Sequence, residues 1–253
     1  MAQNEERGAP GESGRGEADV CAIAVMAKAP VAGRVKTRLS PPLDPEEARL
    51  LSAAFLRDTT ETIRAAGREA PVRGHVAYAP AGSEALFAGA LADGTGLLLA
   101  DGAIAAPADV HGFGRSLLHA AQALFARGYG AVCLLNSDSP TLPVQVLRDA
   151  AAALARPGRA VLGPAEDGGY YLLGMRAGHA RLFADIAWST GEVAGQTRAR
   201  AAELGLEVVT LPTWYDVDDR ASLRRLIADL PRSDVARATA ACVARLGLAA
   251  RFA

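Results

Sequence analysis

Four short segments carry residue types that could do chemistry together. The first, AKAPVAGRVKTRL from Ala27 to Leu39, places Lys28, Arg34, Lys36 and Arg38 within eleven residues, directly after an apolar run. Cations at that density suit a di- or triphosphate, and Gly33 permits close backbone approach to a ligand. The same cluster also reads as a basic loop facing water. Its spacing is neither G-x-x-x-x-G-K-[ST] nor G-x-G-x-x-G, so it is neither a P-loop nor a dinucleotide fingerprint. The second segment, Asn136-Ser137-Asp138-Ser139-Pro140, closes the most apolar stretch of the chain. An acid there can hold a divalent cation against phosphates. Asp138 could also cap a helix, but the next helix is expected only from about Pro143, which favours metal binding.

The third segment is GPAEDGGYY, Gly163 to Tyr171. Paired acids, glycines and tyrosines could form a substrate loop with an acid or base. Composition alone favours a tight hairpin with Glu166 and Asp167 as solvated turn acids, because Asp-Gly is a strong turn signal. The fourth segment, Trp214 to Asp219, sets Asp216 and Asp218 two apart on extended chain, where they face the same way. Either could be a second ligand for a cation at Asp138. Asp216 ranks ahead, because Asp218 and Asp219 both suit a helix N-cap.

Other chemistries find little support. No Gly-x-Ser-x-Gly occurs, and no histidine stands beside a motif acid. Cys21, Cys133 and Cys242 lie far apart and form no Cys-x-x-Cys, which excludes a zinc ribbon or disulfide framework and suits a reducing cytoplasm. The 27 Lys and Arg against 28 Asp and Glu leave a net charge of -1, which argues against a nucleic-acid partner. With 5% aromatic residues, a single-strand stacking platform is equally unsupported. No apolar run reaches the roughly 18 residues of a membrane span.

The elements that must position these segments alternate regularly along the 253 residues. Met1 to Asp19 is almost devoid of apolar side chains and is expected to be a disordered tail. Strands are predicted over Val20–Ala27, Val72–Tyr78, Gly96–Ala100, Ala131–Leu135, Ala160–Gly163, Tyr170–Gly174 and Leu206–Leu211. Helices are predicted from Asp44-Pro45-Glu46-Glu47, a capping box with proline at the first position, and over Gly114–Arg127, Pro143–Ala155 and Glu192–Leu204. Ser189-Thr190-Gly191-Glu192 has capping-box spacing, a further helix starts near Asp219, and Ser233–Leu248 reads as an amphipathic closing helix. Strands alternating with helices predict an α/β fold, with a single doubly wound, mostly parallel sheet over residues 20–230. Residues 231–253 form the closing segment. In such sheets ligands bind beyond the carboxyl ends of the strands, where these loops lie.

Taken in order, AKAPVAGRVKTRL, NSDSPTLP, GPAEDGGYYLLG and DVDD resemble the bacterial glycosyltransferase-like family, of glycosyltransferase A type, known as arsenosugar-cluster glycosyltransferases. That family is similar to the molybdenum-cofactor and phospholactate guanylyltransferases. The resemblance spans about Val20 to Leu230. It implies a nucleotide-diphospho-sugar transferase fold with Mg2+ or Mn2+ at the strand-end Asp138, phosphates on Lys28, Lys36 and Arg38, and Asp216 or Asp218 as the second acid. Asp167, Gly168 and Gly169 would border the acceptor, with Tyr170 beside them and Asp167 or Glu166 as base. The chain departs from the family at Asn136, where glycine is common; no Asp-x-Asp is present, which favours a metal site assembled from two distant acids. It departs again at Gly112-Phe113-Gly114-Arg115-Ser116, in place of an Asp-Leu-Gly-Glu-Arg-like run.

The resemblance implies a metal-dependent transferase that moves a sugar from a nucleotide-sugar to a small-molecule acceptor. Nucleotidyl transfer from a nucleoside triphosphate to a phosphate-bearing acceptor uses the same front end and releases pyrophosphate. A nucleotide-binding regulator without turnover is the third reading. A cytoplasmic protein without nucleic-acid or membrane partners is expected throughout.

Overall fold

The apolar run after Asp19 becomes β1 (Cys21–Lys28) in the computed structural model, which describes residues 17–252. Most of the expected tail, residues 1–16, lies outside the described residues. Its last three, Glu17–Asp19, form a single 3-10 turn where a tail was expected. β1 is buried on both faces, with Cys21, Ile23 and Val25 toward one layer and Ala22 and Ala24 toward the other. Such two-sided burial is why the strand reads as a continuous apolar run rather than an alternating one.

The remaining strands are β2 (Val72–Ala79), β3 (Gly96–Leu99), β4 (Ala131–Leu135), β5 (Arg159–Pro164), β6 (Tyr170–Met175) and β7 (Glu207–Thr210). They form one seven-stranded sheet in the order β3-β2-β1-β4-β6-β5-β7. All neighbours run parallel except β6, which is antiparallel to both β4 and β5. The expected doubly wound, mostly parallel sheet is the one observed. Among the described residues no helix is long and apolar enough to cross a membrane.

Helices α1 (Pro45–Ala66) and α3 (Val144–Leu154) cover one face through Leu56, Ile63, Leu147 and Leu154. Helices α2 (Phe113–Ala126) and α4 (Val193–Glu203) cover the other through Leu117, Leu118, Leu124 and Ala201. A third cluster packs the far side of α1, around Leu51 and Phe55, on α5 (Arg220–Asp229) and α6 (Arg237–Arg245). The start of α1 is the predicted capping box: Asp44 accepts from the Glu46 and Glu47 amides at 2.8 Å, and Glu47 accepts from the Asp44 amide at 2.9 Å. Such a cap contributes about 1 kcal/mol.

Two local expectations fail. Ser189 and Thr190 do not cap α4: Ser189 has a left-handed backbone, φ 66°, and the cap position falls on Glu192 without a side-chain bond. The closing helix is broken rather than continuous. It starts at Arg237, ends at Arg245, and resumes as α7 (Leu248–Arg251) after Gly247 turns left-handed, φ 62°. A short α6 is held from α1 by Asp58, which is buried and accepts from the Ala238 and Thr239 amides at 2.8 and 2.7 Å.

Candidate functional site

β1 and β4 are parallel neighbours, so their carboxyl ends open at the same edge of the sheet. A cleft of about 370 Å³ lies there, within the range of small-molecule sites. Lys28 lines it from the end of β1, Arg34, Lys36 and Arg38 from the loop that follows, and Ser137 and Asp138 from the loop after β4. Asp218 enters from the segment before α5, and Phe113 and Ser116 from the first turn of α2. The first, second and fourth segments therefore meet at one place.

The cations divide into two kinds. Lys28, Arg34 and Arg38 are exposed, and among the described residues they form no ion pair. They present their charge to the cleft. Lys36 is different: its side chain is 6% exposed, and its ammonium lies 2.6 Å from Asp138 Oδ1 and 3.3 Å from Asp218 Oδ1. It also donates to the Val217 carbonyl at 2.7 Å, and it sits over the Phe55 ring. Expected on a phosphate, Lys36 is found between the two acids. Gly33 is left-handed at φ 72°, with open space around a would-be Cβ. The turn favours glycine there for its positive φ.

Asp138 is not a helix cap. The cap position of α3 is Pro143, and the intervening loop is held by its own side chains: the Ser137 hydroxyl donates to Asp138 Oδ1 at 2.9 Å, and Asn136 Nδ2 donates to Ser139 Oγ at 3.2 Å. The fourth segment is stitched to this loop. The Val217 amide donates to the Asp138 carbonyl at 2.9 Å, and the Ser139 hydroxyl to the Tyr215 carbonyl at 3.0 Å. Asp219 takes the cap of α5 with Ser222, leaving Asp218 to the cleft. Of the two acids expected beside Asp138, Asp218 is the one that shares the Lys36 ammonium with it.

Asp216 is half-buried, and its carboxyl is pushed up to about 6, first by burial and then by the charges of Asp218, Asp167 and Asp138. Three carboxylates thus lie near enough to Asp216 for their charges to act on it. Among the described residues no three acids, histidines or cysteines converge as a complete metal cage.

The third segment is the hairpin between β5 and β6. An isolated bridge between Ala165 and Trp214, and a bond from the Glu166 amide to the Trp214 carbonyl at 3.1 Å, fasten it to the fourth segment. That brings Asp167 toward Asp216. Asp167 Oδ1 also accepts from the Gly169 amide at 2.8 Å, closing the turn. Glu166 turns away and pairs with Arg225 at 2.7 Å, so it does not sit at the cleft. Gly168, Gly169 and Tyr170, expected beside the acceptor, have structural contacts of their own. Gly168 is left-handed at φ 89°, and a Cβ there would meet the Gly191 carbonyl oxygen at 2.2 Å. The Gly169 carbonyl accepts from the Ala165 amide at 3.0 Å. Tyr170 buries its hydroxyl, which burial pushes well above the ordinary tyrosine range, and its ring packs in the α2/α4 layer.

Sequence reasoning missed Phe113. It is an exposed aromatic at the rim, braced edge-on by Trp188 with ring centroids 5.7 Å apart. The available signal was its place just before a helix in the run that departs from the family pattern. Nothing in the local pattern tied it to Trp188, 75 positions later.

A family model described as "Uncharacterized protein conserved in bacteria (DUF2064)" matches residues 62–190. No curated protein matches the chain. Among solved structures, a protein of Desulfovibrio desulfuricans G20 provisionally assigned as a nucleotide-diphospho-sugar transferase is 29% identical, with TM-score 0.77 over 91% of this chain and 95% of the other. A nucleotidyl transferase of Methanothermobacter thermautotrophicus is 16% identical at TM-score 0.53, covering 84% of this chain and 98% of the other. A cytidylyltransferase of Leptospira borgpetersenii is 11% identical at TM-score 0.51, covering 92% and 95%. The last two likenesses are of fold. All three agree with the fold that the four-motif resemblance implies.

Proposed function

The chain belongs to the bacterial family DUF2064, and from that premise we propose that it is a nucleotide-utilising transferase that moves a sugar from a nucleotide-sugar to a small-molecule acceptor. One observation carries the reading. Cations at and after the end of β1, without an ion pair among the described residues, and an acid pair from two other loops converge at one strand-end cleft. The 29% identity with the Desulfovibrio protein over nearly the whole of both chains supports the glycosyl form.

Arg34, Arg38 and Lys28 bind the diphosphate, the two guanidiniums through paired donors matched to phosphate oxygens. Asp138 and Asp218 fit a hard divalent cation such as Mg2+ or Mn2+, because both carboxylates already reach one positive charge, the Lys36 ammonium. Two carboxylates with phosphate oxygens completing the shell is the usual arrangement for such an ion. When bound, it would offset the charge that develops on the departing nucleoside diphosphate. Phe113 supplies an apolar wall that limits water at the rim. Asp167, which faces the acid cluster, is the candidate to take the acceptor's proton; Glu166 is engaged by Arg225. Residues 20–230 carry this machinery, and 231–253 brace it through α6.

Nucleotidyl transfer is the second reading, favoured by the three exposed cations, a complement that suits a triphosphate as well as a diphosphate. A thermal-shift panel of nucleotide-sugars and nucleoside triphosphates, with Mg2+ or Mn2+ and without, separates the two. A metal-dependent shift with one nucleotide-sugar supports glycosyl transfer and names the donor. A shift with triphosphates alone moves the assignment to nucleotidyl transfer. No shift with any of them removes both.

A further inference from the structure

Lys36 occupies a position that its loop does not adopt without cost. Its backbone is left-handed, φ 50° and ψ 36°, a conformation that strains a residue with a side chain. The conformation aims the side chain inward, between Asp138 and Asp218, while Arg34 and Arg38 on either side remain exposed. The ammonium has three N–H groups and three acceptors: Asp138 Oδ1, Asp218 Oδ1 and the Val217 carbonyl. Nothing on it is left to contact a ligand.

An ammonium and a divalent ion on the same two carboxylates would stand a few ångströms apart and repel, so each weakens the other's hold on the pair. We propose that Lys36 is a resident counter-cation that competes with the divalent metal for the Asp138/Asp218 pair, so that metal and phosphates bind as mutually dependent ligands. The inference rests on the reading of the cleft as a metal–nucleotide site. A metal arriving alone must drive the ammonium out into a rim that already carries Arg34 and Arg38, an uphill move among like charges. A metal arriving with phosphates lets Lys36 exchange its carboxylates for phosphate oxygens and keep an ion pair throughout. Four methylenes and the short distance between its loop and the cleft make that exchange a side-chain motion. By linkage, whatever factor the phosphates add to metal affinity, the metal adds to theirs.

The test is Mn2+ binding, followed by electron paramagnetic resonance, to wild type, Lys36→Met, Lys36→Gln and Lys36→Arg, with folding checked by circular dichroism. Without the ammonium, two uncompensated carboxylates remain. Lys36→Met and Lys36→Gln are expected to bind Mn2+ alone about tenfold tighter or more, and Lys36→Arg to stay near wild type. With Mn2+ saturating, inorganic pyrophosphate is expected to bind Lys36→Met more weakly than wild type. A folded Lys36→Met or Lys36→Gln that binds Mn2+ no tighter than wild type overturns the proposal. Should neither variant fold, wild type decides alone: pyrophosphate must tighten Mn2+ binding to the protein, and an unchanged affinity overturns the proposal. Tighter Mn2+ in the variants with no nucleotide binding in any protein would sink the nucleotide reading and leave the competition standing. Nucleotide binding with unchanged Mn2+ affinity does the reverse.

Discussion

The Ser139 hydroxyl donates to the Tyr215 carbonyl across 3.0 Å, joining two loops 76 residues apart. Ser139 follows Asp138 and Tyr215 precedes the acids Asp216 and Asp218, so this bond sets the spacing of the acid cluster. Ser139 is buried, and the bond is reinforced by the Val217 amide on the Asp138 carbonyl.

Replacing Ser139 with alanine leaves the Tyr215 carbonyl without that donor. A loss of about 1–2 kcal/mol in urea denaturation is expected, together with weaker Mn2+ binding as Asp138 and Asp218 drift apart. Unchanged stability and unchanged Mn2+ affinity together would show that the other stitches suffice.

Asp138→Ala tests the cleft directly. The fold should survive, because Asp138 is partly exposed and Lys36 keeps Asp218 and the Val217 carbonyl. The gain in nucleotide affinity on adding Mg2+ or Mn2+ should fall by at least about tenfold, the scale of even an outer-partner loss at a metal. Calorimetric titration with and without metal checks it; an undiminished gain would falsify the assignment of Asp138.

Gly168 distinguishes a structural from an acceptor-binding role. Gly168→Ala places a Cβ at 2.2 Å from the Gly191 carbonyl oxygen and forces φ 89° on a residue with a side chain. Stability should drop by about 1–3 kcal/mol. Once an acceptor is identified, its KM should rise only as the hairpin loosens, in step with the fall in melting temperature. A variant of normal stability with a raised acceptor KM would restore the acceptor contact.

His75 makes stability depend on pH. It is 4% exposed, its Nε2 lies 3.0 Å from the Tyr129 hydroxyl, and burial, aided by Arg127 and Arg73, lowers its pKa to about 4. The unfolded chain protonates near the ordinary 6.5, so between those values the unfolded state holds the extra proton. Stability from this group is complete above about pH 6.5 and declines as pH falls toward 4. The decline from pH 7 to pH 5 is about 2 kcal/mol. Urea midpoints of wild type and His75→Gln across that window should converge at low pH; parallel curves would remove His75 from the acid response.

Much of the architecture was legible because burial leaves a direct record in the chain. Cys21–Ala27 and Ala131–Leu135 are apolar throughout since helices cover both faces of the sheet, and the capping box at Asp44 needs only four consecutive residues. The cationic loop after β1, Asp138 after β4 and the acids before α5 could be placed at the strand ends by the same local logic. Ser189 and the closing helix misled because a capping pattern and an apolar periodicity do not report the left-handed turns at Ser189 and Gly247.

The tertiary structure decided which of those residues work together. Asp219 takes the cap and releases Asp218, a choice that depends on Ser222. Glu166 goes to Arg225, 59 positions away, and Lys36 goes to acids 102 and 182 positions away. Residue type and local spacing describe what a side chain can do. A charge chooses among partners only when the packed sheet has brought distant loops within a few ångströms and removed the water between them.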